Sequence, residues 1–133
     1  MDSIDQMYQE QILDHYKNPR NFGELKNPSV HHHEKNPLCG DELDLYLVID
    51  AKGKIIDVKI SGHGCAISLA SASMLSEEIK GKKLSELKQV TKEKIFEMLG
   101  IPLSAVRVKC ALLPLDTLKN SIKIYENYIY RKK

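Results

Sequence analysis

Cysteine is scarce in this chain, three in 133 residues, and the three stand far apart. An odd, scattered set argues against a disulfide framework and leaves metal binding, thiol chemistry or plain core packing. Long apolar runs are also missing. None approaches the roughly 20 residues that span a bilayer, so no membrane contact is expected. Neither sign of charge dominates: the formal net charge of +2 comes from lysine and glutamate mixed along the chain. That excludes a nucleic-acid footprint, and Arg131-Lys132-Lys133 reads as a solvated tail. The opening Met1-Asp2-Ser3-Ile4-Asp5 is acidic where a signal peptide is basic, so the expected location is the cytoplasm. The length suits a single domain, 1–133, with a modest core.

What is present is organised around Ser61-Gly62-His63-Gly64-Cys65-Ala66. An alternating segment, Ile56/Val58/Ile60, turns through two glycines into small and apolar residues at helical spacing, so the stretch reads strand, tight turn, helix. Cys65 then stands at the first turn of a helix, where free N–H groups and the helix dipole favour a thiolate. Upstream, Leu43, Leu45, Leu47 and Ile49 alternate with Asp44, Tyr46 and Val48 as one strand of a hairpin turned at Asp50-Ala51-Lys52-Gly53. Antiparallel pairing brings the residues before the first strand, Cys39 and Asp41, beside the residue after the second, Cys65. Gly40 lets a turn aim the Cys39 thiolate and the Asp41 carboxylate at one point.

The remaining elements follow from periodicity and breakers. Ile4, Tyr8, Ile12 and His15 share one helical face from Ser3 until Asn18-Pro19. Residues 22–37 read as loop with a short edge strand around Val30. The triplet His31-His32-His33 reads as exposed loop, since extended neighbours alternate sides and cannot converge on one ion. The helix after Cys65 runs to Gly81, Leu84–Leu87 makes one short turn, and Thr91 caps a helix ending at Gly100. Ala111, Leu115, Leu118, Ile122, Tyr125 and Ile129 form the stripe of a C-terminal helix. Because Pro114 is tolerated only in a first turn, that helix is expected to start near Ala111, with Cys110 at its N-terminus. Three thiolates and one carboxylate therefore make up one candidate set.

At these residues the chain resembles the U-type iron-sulfur cluster assembly scaffolds, the family of IscU, SufU and the N-terminal domain of NifU. The resemblance rests on Ile12-Leu13-Asp14-His15-Tyr16-Lys17-Asn18-Pro19-Arg20-Asn21, Asn36-Pro37-Leu38-Cys39-Gly40-Asp41, Gly64-Cys65-Ala66-Ile67-Ser68 and Lys109-Cys110, in family order over nearly the whole chain. It implies an α+β fold, a small antiparallel sheet packed against several helices with the metal site at one exposed end. It also implies that a cysteine desulfurase delivers sulfur, that a 2Fe-2S cluster is built on Cys39, Cys65 and Cys110, and that apo-protein acceptors receive it from a monomer or a cluster-bridged oligomer. Such a protein is a scaffold more than an enzyme.

The segment Gly64 to Met74 looks most like SufU, whose members hold zinc through three cysteines and the aspartate and accept sulfur. The short interval to Cys110 is as in IscU. A Zn2+-dependent sulfurtransferase at the same site is thus the alternative reading. Where IscU has Leu-Pro-Pro-Val-Lys for a dedicated Hsp70-type chaperone, this chain has Leu103-Ser104-Ala105-Val106-Arg107, so that partner is not expected. Lys109 replaces a histidine before Cys110, and two roles are open to it: stabilising a thiolate or persulfide on Cys110 as sulfur acceptor, or none. His63 is a second candidate neighbour of the site. Asp41, a harder ligand than a fourth thiolate, is expected to make the cluster labile.

Overall fold

Alternation, breakers and caps give eight elements in the computed structural model, which describes residues 3–37 and 40–132. They are α1 (Ser3–Lys17), β1 (Val30–Lys35), β2 (Glu42–Ile49), β3 (Ile55–His63), α2 (Ala66–Ile79), α3 (Leu84–Leu87), α4 (Lys92–Leu99) and α5 (Ala105–Lys132). The strands form one antiparallel sheet in the order β1-β2-β3. The α+β architecture expected from the sequence is therefore the one observed. Leu43, Leu45, Leu47, Ile49, Val58 and Ile60 point inward, and α2 and α5 cover them with Ala70, Leu75, Ile79, Leu115 and Leu118. The free edge of β3 is closed by Asn21 and Gly23, which bracket Ile60: its N–H donates to the Asn21 carbonyl and its carbonyl accepts from Gly23 N–H, each at 2.8 Å.

Three expectations about the strands change. The histidine triplet belongs to β1, an edge strand paired with β2, because His32↔Leu45 and its neighbours continue the ladder. Ile56 is half exposed and Ile55 takes its inward place. A register shift between Val48 and Ile49, which pair with Asp57 and Ile55, leaves Ile56 as the extra residue of a bulge. And β3 does not stop at the first glycine. It runs through Gly62, whose φ of +134° only glycine adopts comfortably, to His63.

Helix α2 is buried on nearly every side, and its small residues make that feasible. Ser71 donates to the Ala111 carbonyl at 2.8 Å, Ser76 donates to the Ser73 carbonyl at 2.6 Å, and Ser73 accepts the Arg20 N–H at 2.8 Å. Ser73 Oγ also lies 2.7 Å from Nδ1 of buried His15. The Ser73 hydroxyl, with one donor and two lone pairs, thus serves both the Arg20 N–H and the His15 ring. This ties α1 to α2. In α1 itself Ile12 and His15 are buried as expected, while the side chains of Ile4 and Tyr8 lie outside the described residues.

Burial, and next the charge of Arg20, lower the His15 pKa from its usual 6.5, against the opposing pull of Glu77 and Asp14. The unfolded chain then binds the proton first as pH falls, so stability is full above the unfolded value and is lost as pH drops through it toward the lower folded value. Unfolding midpoints measured between about pH 8 and pH 5 should fall toward the acid end. The slope should be shallower in His15→Gln; an equal slope would assign the effect to other groups.

Helix α5 departs most from expectation. It begins at Ala105, not near Ala111, and carries Pro114 in its interior. Ser104 starts it, its hydroxyl accepting the Arg107 N–H at 3.3 Å. An interior proline costs a helix about 3 kcal/mol, and tertiary packing outweighs that cost: Ala111, Leu113, Pro114, Leu115, Leu118 and Ile122 are all buried.

Candidate metal centre

The chain between β1 and β2 closes on itself before reaching the site. Asn36 N–H donates to the Asp41 carbonyl and Gly40 N–H to the Asn36 carbonyl, both at 2.8 Å, with Gly40 at φ +74°. Glu42 then pairs with His63. That register sets Asp41 beside Gly64 and Cys65, as antiparallel pairing of the hairpin predicts. Asp41 is 3% exposed, and its Oδ1 accepts the Cys65 N–H at 3.1 Å. Gly64 makes the approach feasible: a Cβ there would lie 2.7 Å from both Asp41 Cγ and Ser68 Oγ.

Cys65 is the N-cap of α2, in extended conformation, and its side chain caps nothing. Its sulfur is left for other work. The Ser68 hydroxyl donates to the Cys65 carbonyl at 3.1 Å and lies 3.9 Å from the sulfur. Cys110 arrives from the second turn of α5 and is completely buried. Asp41, Cys65 and Cys110 present ligand atoms all within 4.8 Å of one another, the one such group of His, Cys, Asp or Glu among the described residues. Cys39, the expected third thiolate, lies outside the described residues.

The helix dipole expected at Cys110 is absent, because that residue is well inside α5. A cation takes its place. The Arg107 guanidinium faces both sulfurs, and its pKa is raised by the charge of Cys65 first, by a hydrogen bond to Cys65, and by the same two interactions with Cys110. Sequence reading missed Arg107. With a helix starting at Ala105, Arg107 stands three residues before Cys110 and so on its face. Lys109, the expected neighbour, is one residue away and turned about 100° around the helix. It is exposed and borders a cleft with Glu34, Asn36, Leu112 and Asp116. His63 is also placed elsewhere: it is 73% exposed, with Nε2 2.6 Å from Glu42 Oε2.

A part-exposed thiol, a buried thiol and a carboxylate at a helix N-cap form a donor set for a tetrahedral thiolate-binding metal. The NifU-like N-terminal domain family matches residues 7–132. The chain belongs to that family. The iron-sulfur cluster assembly scaffold protein IscU of Haemophilus influenzae is 38% identical over 122 residues, 90% of this chain and 95% of that protein. A SufU from Fervidobacterium islandicum, described as an iron-sulfur cluster assembly scaffold protein for the SUF system, superposes with a TM-score of 0.75 at 34% identity, over 88% of this chain and 97% of that one. A NifU-like N-terminal domain from Brucella abortus shares the fold, with a TM-score of 0.73 at 23% identity over 93% and 97%. The chain joins a three-stranded sheet to several helices. No helix among the described residues is long and apolar enough to cross a membrane.

Proposed function

We propose that this protein is an iron-sulfur cluster assembly scaffold, and that Asp41, Cys65 and Cys110, joined by Cys39, are where a 2Fe-2S cluster is built before transfer to apo-proteins. The observation that carries this reading is the meeting of the first three ligand atoms within 4.8 Å in a chain of the NifU-like family. Iron and sulfur are cargo here. Sulfur arrives when a thiolate of the site attacks the outer sulfur of a cysteine desulfurase persulfide, leaving the desulfurase thiolate behind. Cys65 is part-exposed and reached directly, whereas buried Cys110 accepts sulfur only when its neighbours give way. Reduction of that sulfur to sulfide draws on an external electron donor.

In this scheme Arg107 offsets the charge of the thiolates and of a persulfide anion, the part that sequence alone offered to Lys109. Asp41 supplies a hard oxygen that iron-sulfur chemistry releases more readily than a thiolate. The hydrogen bond from Cys65 N–H holds that carboxylate in place.

Metal and acid-labile sulfide analysis of anaerobically purified protein, before and after incubation with iron, cysteine and a desulfurase, tests the reading. Iron with matching sulfide and a new charge-transfer absorption is expected. Stoichiometric Zn2+ that resists replacement, with faster desulfurase turnover and no cluster, would overturn it in favour of a zinc-dependent sulfur acceptor.

A further inference from the structure

The histidines of β1 find a role once the sheet is formed. Along an extended strand His31 and His33 face one way and His32 the other. His31 and His33 share the outer face of the sheet with Asp44 of β2. The His31 Nε2 lies 2.8 Å from Asp44 Oδ1, and His33 Nδ1 lies 3.3 Å from the same oxygen. His32 instead pairs with Glu34, at 2.9 Å. Two imidazoles two residues apart on a strand, with a carboxylate directly across from the second, make a two-histidine, one-carboxylate donor set.

His33 has behind it the kind of group that supports a metal-binding histidine. A ligating histidine holds its ring by donating its second N–H to a carboxylate. With Nδ1 of His33 turned to Asp44, its Nε2 lies 3.5 Å from Glu42 Oε1, and the other oxygen of Glu42 lies 2.6 Å from His63 on β3. The His31 ring is stacked on Tyr46, with centroids 4.1 Å apart and planes 13° apart. That contact sets the ring's plane and leaves Nε2 toward Asp44. All three strands thus contribute to one chain of groups, His63–Glu42–His33–Asp44–His31. Both donor histidines are about half exposed, so an ion has access. Each ring nitrogen reaches Asp44, but the two stand more than 4.8 Å apart, so an ion draws them together by rotation of the two exposed side chains to the roughly 2.0–2.1 Å of a metal bond.

We propose that His31, His33 and Asp44 form a second metal site, for a first-row divalent cation of the Zn2+, Co2+ or Fe2+ class, on the open face of the sheet. It shares no ligand with the Asp41–Cys65–Cys110 centre and stands whether or not that centre builds a cluster. Imidazole and carboxylate donors select these borderline cations over Mg2+ and Ca2+, which prefer oxygen alone.

Anaerobic calorimetric titration of the full-length protein with Co2+ alone, with the optical spectrum recorded at each addition, separates the two sites. Thiolate-bound cobalt shows sulfur-to-metal charge transfer and imidazole-bound cobalt does not. Wild type is expected to bind two equivalents, only one of them with charge transfer. The double variant His31→Ala/His33→Ala should bind one, with undiminished charge transfer, and His32→Ala should still bind two. Asp44→Asn, a near-isosteric change, should weaken the second equivalent by about 10-fold or more. A wild type with no equivalent free of charge transfer, two equivalents in the double variant, or equal loss in His32→Ala would overturn the proposal. Loss of the charge-transfer equivalent alone would instead count against the thiolate centre.

Discussion

Cys110→Ser is expected to leave the protein folded and unable to retain iron and sulfide. Serine has nearly the volume of cysteine, so the fully buried position stays filled. Its hydroxyl also has a partner within reach, because α5 already satisfies buried hydroxyls from its own backbone: Thr117 donates to the Leu113 carbonyl and Ser121 to the Thr117 carbonyl, each at 2.7 Å. The stability cost is then about 1 kcal/mol, small against the 5–15 kcal/mol typical of a domain. The metal sees a different group. A serine hydroxyl stays protonated near neutral pH and offers a poor, hard ligand where the site held a soft thiolate. Iron and sulfide bound after reconstitution should drop by about 10-fold or more, with the thermal midpoint lowered only a few degrees. Full retention would remove Cys110 from the ligand set. Loss of the fold would make the thiol structural.

Gly62→Val should reverse that pattern and unfold the protein. Residue 62 sits at φ +134°, and a Cβ there would lie 2.2 Å from the Glu42 carbonyl oxygen and 3.1 Å from Leu43 Cα. Those are backbone atoms of the neighbouring strand and cannot rotate away. Forcing a β-branched residue into this conformation costs about 1–3 kcal/mol before any clash is counted. Parting β2 from β3 at the Leu43↔Gly62 pair adds the loss of ladder hydrogen bonds. A fall of at least about 10 °C in the unfolding midpoint is expected, or no cooperative transition at all. The same strand end sets Asp41 against Cys65, so any folded fraction should bind metal poorly. An unchanged midpoint would mean that the β2–β3 ladder tolerates a shift at its end.

Much of the fold was legible because its signals are local. The alternation over Leu43–Ile49 marks β2, the small residues after Cys65 mark α2, and Thr91 and Gly100 do cap α4 as expected, with Thr91 accepting the Lys94 N–H and Gly100 left-handed. Errors arose where a local rule met a tertiary exception. Proline at 114 argues for a late helix start on propensity alone, yet packing of the turns on both sides outweighs one missing hydrogen bond. A single bulge at Ile56 turned an alternating strand segment by one residue. The histidine triplet looked like loop because Gly23, Pro28 and Pro37 surround it, whereas pairing with β2 makes it strand.

By itself the sequence determined which thiols and which carboxylate are the candidates for the proposed site. Their residue types and their places at the ends of a hairpin and a helix depend only on neighbours along the chain. Only the tertiary structure decided what surrounds them. The start of α5 makes Arg107, not Lys109, the cation at the sulfurs, and the β1–β2 register gathers His31, His33 and Asp44 on one face. Both depend on the placement of segments distant in the chain, which is settled by strand pairing and by how α2 and α5 pack on the sheet.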